Sequence, residues 1–118
     1  MQFGQNETPP EALALDFARV LARRDYRAAY NMTSAEFKSK FSCEEMQNDF
    51  ESIIPTDWGA VDPIEIGTTM DDWPGKRVND IEWIYVGIGG DMYSEAIVVV
   101  ITEEDGVLSV RDVEWGRP

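Results

Sequence analysis

Residues 96–115 read Ala96-Ile97-Val98-Val99-Val100-Ile101-Thr102-Glu103-Glu104-Asp105-Gly106-Val107-Leu108-Ser109-Val110-Arg111-Asp112-Val113-Glu114-Trp115. A run of mostly β-branched residues suits a strand, because a branched side chain packs well on a pleated surface. Asp105-Gly106 is a strong hairpin signal, because both central positions of a tight two-residue turn require positive φ. The stretch therefore predicts strands over 93–102 and 107–115, antiparallel and adjacent. Upstream, Gly89-Gly90-Asp91 predicts another hairpin turn, which places a strand over 78–88. Asp71-Asp72-Trp73-Pro74-Gly75 predicts the turn before that. Ile64, Ile66, Thr68 and Met70 alternate with Glu65, Gly67 and Thr69, the period of a half-buried strand. Four consecutive strands joined by short turns make an antiparallel meander.

Before residue 55 the period is helical. Thr8 can cap a helix, Pro9 tolerates the first helical position, and Glu11 stands three residues after the cap, as a capping box requires. Leu13, Phe17, Val20 and Leu21 recur at helical spacing, and Arg23-Arg24 suit the negative end of the helix dipole. Asp25 predicts the cap of a second helix through Tyr26, Ala29 and Tyr30. Thr33-Ser34 restarts the helix before Phe37 and Phe41. Ser42-Cys43-Glu44-Glu45 is a second capping box, opening a helix with Met46, Phe50, Ile53 and Ile54 on one face until Pro55 stops it. Helices followed by a sheet give an α+β class, with N-terminal helices packed on a curved, cone-like antiparallel four-stranded sheet.

The chain has 118 residues, which predicts one domain over 9–118 after a short tail, 1–8. It carries 10 basic and 23 acidic residues, a formal net charge of -13. That charge argues against holding nucleic acid through its phosphates. Histidine is absent, which excludes a Ser-His-Asp triad, a Cys-His pair and His-ligated metal. The single cysteine, Cys43, allows no internal disulfide. The longest apolar run, 96–101, is far short of the ~20 residues of a membrane span. The N-terminal residues lack a basic region followed by an apolar stretch, so a cytoplasmic location is expected and no membrane association.

Two stretches carry a resemblance. Ala14-Leu15-Asp16-Phe17-Ala18-Arg19-Val20-Leu21-Ala22-Arg23-Arg24-Asp25-Tyr26-Arg27-Ala28-Ala29-Tyr30 resembles the opening helix pair of the nuclear-transport-factor-2-like superfamily, also called cystatin-like or ketosteroid-isomerase-like. Residues 96–115 resemble its closing hairpin, although Leu108 stands where that hairpin usually has Trp. The resemblance implies a cone with a pocket at its open end and a homodimer through the exposed sheet face. The superfamily includes enzymes, small-molecule binders, dimerisation modules, transport adaptors and toxin-immunity proteins, so fold alone does not assign function.

An isomerase of that kind uses a carboxylate base with tyrosine and protonated-carboxyl donors in an apolar pocket. Tyr26, Tyr30, Tyr85, Tyr93, Asp49, Glu82, Glu95 and Asp112 supply the residue types, but none aligns with a catalytic position, so no catalytic residue is assigned. Tyr30, Trp83, Tyr85 and Asp112 are the candidates for lining a pocket. Strict alternation puts Asp112 on the face of Leu108 and Val110, at the rim of the cone, where a buried carboxylate would need a partner or a raised pKa. The expected alternative is an outward face or a bulge that returns Asp112 to water. Cys43 is read as a small apolar residue, because Glu44 and Glu45 oppose a thiolate. Asp71-Asp72 and Glu103-Glu104-Asp105 lack metal-loop spacing, so no metal or other cofactor is expected. Gly87, Gly89 and Gly90 precede no helix that could cradle a phosphate.

Charge is unevenly spread. Residues 1–42 hold six basic and five acidic side chains, whereas 43–118 hold four and 18. The acidity serves solubility or faces a basic partner. The residues thus predict a non-catalytic domain binding a protein or a small apolar ligand. An acidic, immunity-type inhibitor of a basic toxin and a small isomerase or cyclase-like enzyme are the alternatives.

Overall fold

The computed structural model describes residues 7–59, 61–90 and 93–116. Helix α1 spans Pro9–Ala22, α2 Tyr26–Tyr30, α3 Ala35–Lys40 and α4 Cys43–Ile53. A 3-10 turn at Thr56–Trp58 leads to strands β1 Ile64–Met70, β2 Asp80–Gly89, β3 Ser94–Glu104 and β4 Val107–Trp115. The strands form one antiparallel sheet in the order β1-β2-β3-β4, the predicted meander. Among the described residues, no helix is long and apolar enough to cross a membrane.

The caps explain why the helices begin where they do. The Thr8 hydroxyl accepts from the Glu11 amide while the Glu11 carboxylate accepts from the Thr8 amide, and Ser42 and Glu45 repeat the arrangement at α4. Asp25 and Ser34 cap the two short helices between them. At the end of α1 the amide of Asp25 donates to the Val20 carbonyl and that of Arg24 to Leu21, the double bond of a Schellman ending. The residue in the left-handed region is Arg24, with φ 64°, where glycine is usual. Its side chain explains the exception. The guanidinium lies 5.1 Å from the Phe50 ring centroid and donates to the carbonyls of Ile54 and Pro55 and to the Tyr26 hydroxyl. Arg24 therefore serves the C-terminal end of α4 rather than that of its own helix.

The helices cover one face of the sheet. Phe17, Leu21, Phe37, Met46, Phe50 and Ile54 pack against Ile84, Val86 and Ile88 of β2, Ile97, Val99 and Ile101 of β3, and Val110 and Val113 of β4. Segment 32–34 lies beside β4, with the Val110 amide donating to Met32 and the Ser34 amide to Val110, so this edge is partly sealed.

Three boundaries or faces differ from the alternation pattern. Strand β2 starts at Asp80, not at 78, because the Asp80 carboxylate accepts from the Arg77 amide and the Asp80 amide donates to the Arg77 carbonyl, closing a turn. Strand β3 runs on to Glu104, where Asp105 (φ 54°) and Gly106 (φ 81°) make the two-residue turn that the Asp-Gly pair predicts. In β4 the register passes from Val100↔Asp112 to Ile101↔Val110, leaving Arg111 as an extra residue. Such a bulge breaks strict alternation. Asp112 consequently shares the face of Val100, opposite the helices, and not that of Val110. The last residue of the Gly89-Gly90-Asp91 turn lies outside the described residues, as does most of the 1–8 tail.

Arg24→Ala keeps the left-handed backbone strain and removes the tether to α4. Chemical denaturation is expected to show a loss of about 1–3 kcal/mol, and Arg24→Gly a smaller loss because it relieves the backbone.

Candidate functional site

The space between helices and sheet is where a cone-shaped domain would hold a ligand. Here large side chains occupy its centre. Phe17, Phe37, Phe50, Leu21, Met46 and Ile54 are all fully or almost fully buried there. The tyrosines on this side are used structurally. Tyr30 donates to the Phe41 carbonyl at 2.7 Å, and Tyr26 donates to Glu51 at 2.8 Å while accepting from Arg24. Burial pushes the Tyr26 hydroxyl above its usual pKa, with Arg24 opposing. Cys43 points its thiol at the Tyr26 carbonyl, 3.5 Å away. A recess of about 370 Å³ runs between α1 and edge strand β1, lined by Glu11, Leu15, Arg19, Ile64 and Ile66 among others.

The sequence candidates divide between the two faces. Tyr30 belongs to the helix side. Trp83, Tyr85 and Asp112 come together on the other face, which none of the described helices covers. The register sets them in rows: Trp83 pairs with Val100, and Val100 with Asp112; Tyr85 pairs with Val98, and Val98 with Glu114. Val98 and Val100 are buried, yet they stand outside the helix-side core. Aromatics on β2 and carboxylates on β4 flank them in the ladder. Tyr85 leans over β1 at Gly67, where a Cβ would come within 2.8 Å of its ring. Glycine at 67 is thus required by the close approach of the ring, and Gly87 and Ala96 continue the shallow floor beside it. Asp112 accepts from the Val113 amide, its own neighbour, so it remains an available carboxylate at the edge of this face. The arrangement offers ring faces and anionic acceptors on a rigid sheet. It does not place a base and a hydroxyl donor around a shared cavity.

One charged feature escaped sequence reasoning. Asp80 and Arg111 form a two-pronged ion pair, Nε to Oδ1 and Nη2 to Oδ2 both at 2.7 Å, with the Asp80 side chain fully buried and Arg111 10% exposed. Burial alone would raise the Asp80 pKa. The Arg111 guanidinium and the Arg77 amide outweigh it and hold the carboxyl below its usual range. The pair borders a recess of about 130 Å³ with Ser34, Glu36, Thr102 and Glu104, and Arg77 pairs with Glu36 across its mouth. The only local sequence signals were an acid at the start of a strand and an arginine interrupting an apolar alternation. The partners stand 31 residues apart, and Arg111 is the extra residue of the bulge. Glu82 sits on the helix side, paired with Ile101 near the start of α1. Burial and then the Glu11 charge raise its pKa, while the Thr69 and Thr8 hydroxyls partly offset them. Among the described residues no group of acids and cysteine is arranged to hold a metal ion.

No family model matches this chain, and no curated protein matches it either.

Removing one member of a buried pair leaves the other charge without a partner, at a cost of about 3–5 kcal/mol. Asp80→Asn should therefore lower stability strongly in urea denaturation, and Asp80→Leu combined with Arg111→Met should recover most of the loss. The pH dependence has two limbs of opposite sign. The Glu82 carboxyl binds its proton more tightly in the folded protein, so stability rises as pH falls from neutrality through its raised pKa. The Asp80 carboxyl binds its proton less tightly when folded, so its contribution is complete above the usual carboxylate range and is lost as pH falls through its depressed pKa. Thermal melts across pH should show a maximum on the acid side of neutrality, and Glu82→Gln should abolish the rising limb.

Proposed function

We propose that this protein is a non-catalytic binding domain of nuclear-transport-factor-2-like type that engages its partner through the open face of the sheet. The superfamily reading is supported by the element order, helices first and a four-stranded meander last, and by the hairpin at Asp105-Gly106. The observation that carries the functional reading is the sorting of side chains between faces. The helix side is packed with Phe17, Phe37, Phe50 and Met46, while Trp83, Tyr85 and Asp112 lie on the uncovered side. Half-buried aromatics on a rigid sheet have low conformational entropy to lose and dominate binding energy where partners dock. An isomerase or cyclase-like activity needs a carboxylate and a tyrosine hydroxyl around an apolar cavity, and the packed centre opposes it. A small apolar ligand in the cone is disfavoured on the same ground.

1-Naphthol, titrated into protein with labelled methyl groups, separates the two faces. The interior methyls of Ile84, Val86 and Val99 should keep their chemical shifts up to the solubility limit, whereas any weak response should come from Val98 and Val100. Saturable shifts at Ile84 and Val86 would reinstate a ligand-accepting interior and sink the reading.

A further inference from the structure

The open face has an apolar centre and a rim of one sign. Trp83 and Tyr85 on β2 stand opposite Val100 and Val98 on β3, with the Tyr85 ring against Gly67. Asp112 and Glu114 border them on β4, and Glu65, paired with Gly87, borders them on β1. Together the four strands contain one cationic side chain, Arg111. Its guanidinium is nine-tenths buried and committed through two bonds to Asp80, so it does not answer the charge of the rim. A second copy docked on this face would bring two acidic rims together with no free cationic side chain on the described strands between them, and facing like charges cost free energy. A surface carrying arginine or lysine meets the opposite situation. Its cations can lie against the Trp83 and Tyr85 rings and pair with Asp112 and Glu114, while neighbouring apolar side chains cover the remaining ring area.

We propose that the open sheet face binds a cationic protein surface, one that presents arginine or lysine among apolar side chains, rather than a second copy of this chain. This rests on the reading of the open face as the binding surface. It uses three of the 18 acidic side chains of residues 43–118, Glu65 on β1 and Asp112 and Glu114 on β4, which stand either side of the aromatics.

The probe is a short synthetic peptide alternating Arg with Leu, and its control has Glu in place of each Arg. Titration of labelled protein should give saturable amide shifts centred on Trp83, Val98, Val100, Asp112 and Glu114, with none from the control. Calorimetry should show binding weakened by about tenfold in Asp112→Asn/Glu114→Gln. It should change by less than about twofold in Glu103→Gln/Glu104→Gln, which removes the same charge at the β3–β4 turn. Equal weakening by the two pairs, or shifts centred on the turn, would mean attraction to net charge alone and overturn the proposal. Sedimentation distinguishes the underlying reading. A concentration-dependent dimer that Trp83→Ala dissociates would keep the open face as the binding surface and overturn the cationic partner. A Trp83→Ala variant that folds normally by circular dichroism and changes neither peptide binding nor association would overturn both.

Discussion

Arg111 enters β4 as one residue too many, and much of the molecule is arranged around the consequence. An extra residue in one strand of a ladder bends that strand and reassigns the faces of everything beyond it. Here the register slips between Val100↔Asp112 and Ile101↔Val110. The slip frees the Arg111 side chain to reach Asp80, two strands away, and close a buried pair with two 2.7 Å bonds. That pair ties the start of β2 to β4 across β3. Asp80 in turn holds the Arg77 amide, and Arg77 reaches Glu36 on α3, so the β1–β2 connection is fastened to the helical half through the same carboxylate.

The bulge also decides what the two faces of the sheet can do. Beyond it, Val113 and Trp115 fall on the helix side, where Trp115 meets Phe50 edge-on at 6.4 Å between ring centroids. Asp112 and Glu114 fall on the open side. Were Arg111 paired in strict alternation instead of bulged, the phases would be exchanged, with carboxylates directed into the packed core and Val113 and Trp115 into water. A charge buried there with no partner is far costlier than a local break in a strand ladder. The bulge thus reconciles an apolar core with an acidic rim in one continuous sheet.

Most of the fold was legible locally. Thr8, Asp25, Ser34 and Ser42 cap the helices their positions predict, because a cap is settled by hydrogen bonds within three residues. The Asp105-Gly106 turn follows from the φ values the two residues tolerate. Strand ends were read less well. Asp80 and Val78 differ because a side-chain bond, not a propensity, ends the turn before β2. The candidate residues were chosen for chemistry that the positions then divided. Tyr30 serves the helix side through Phe41, and Trp83, Tyr85 and Asp112 meet across the sheet.

The amino-acid order by itself determined the α+β class, the helix starts, the meander and the concentration of acid after residue 42, because each depends on local backbone preference, hydrophobic period or simple composition. The lack of histidine likewise removed the chemistry that needs an imidazole. Only the tertiary structure decided which face Asp112 occupies, that Arg24 serves α4, that Asp80 and Arg111 are partners, and that Phe17, Phe37, Phe50 and Met46 meet at the centre of the helix side. Those outcomes depend on contacts between residues distant in the chain and on a one-residue slip in register. A slip of one residue exchanges the two faces of a strand without altering its composition or its propensity to be a strand.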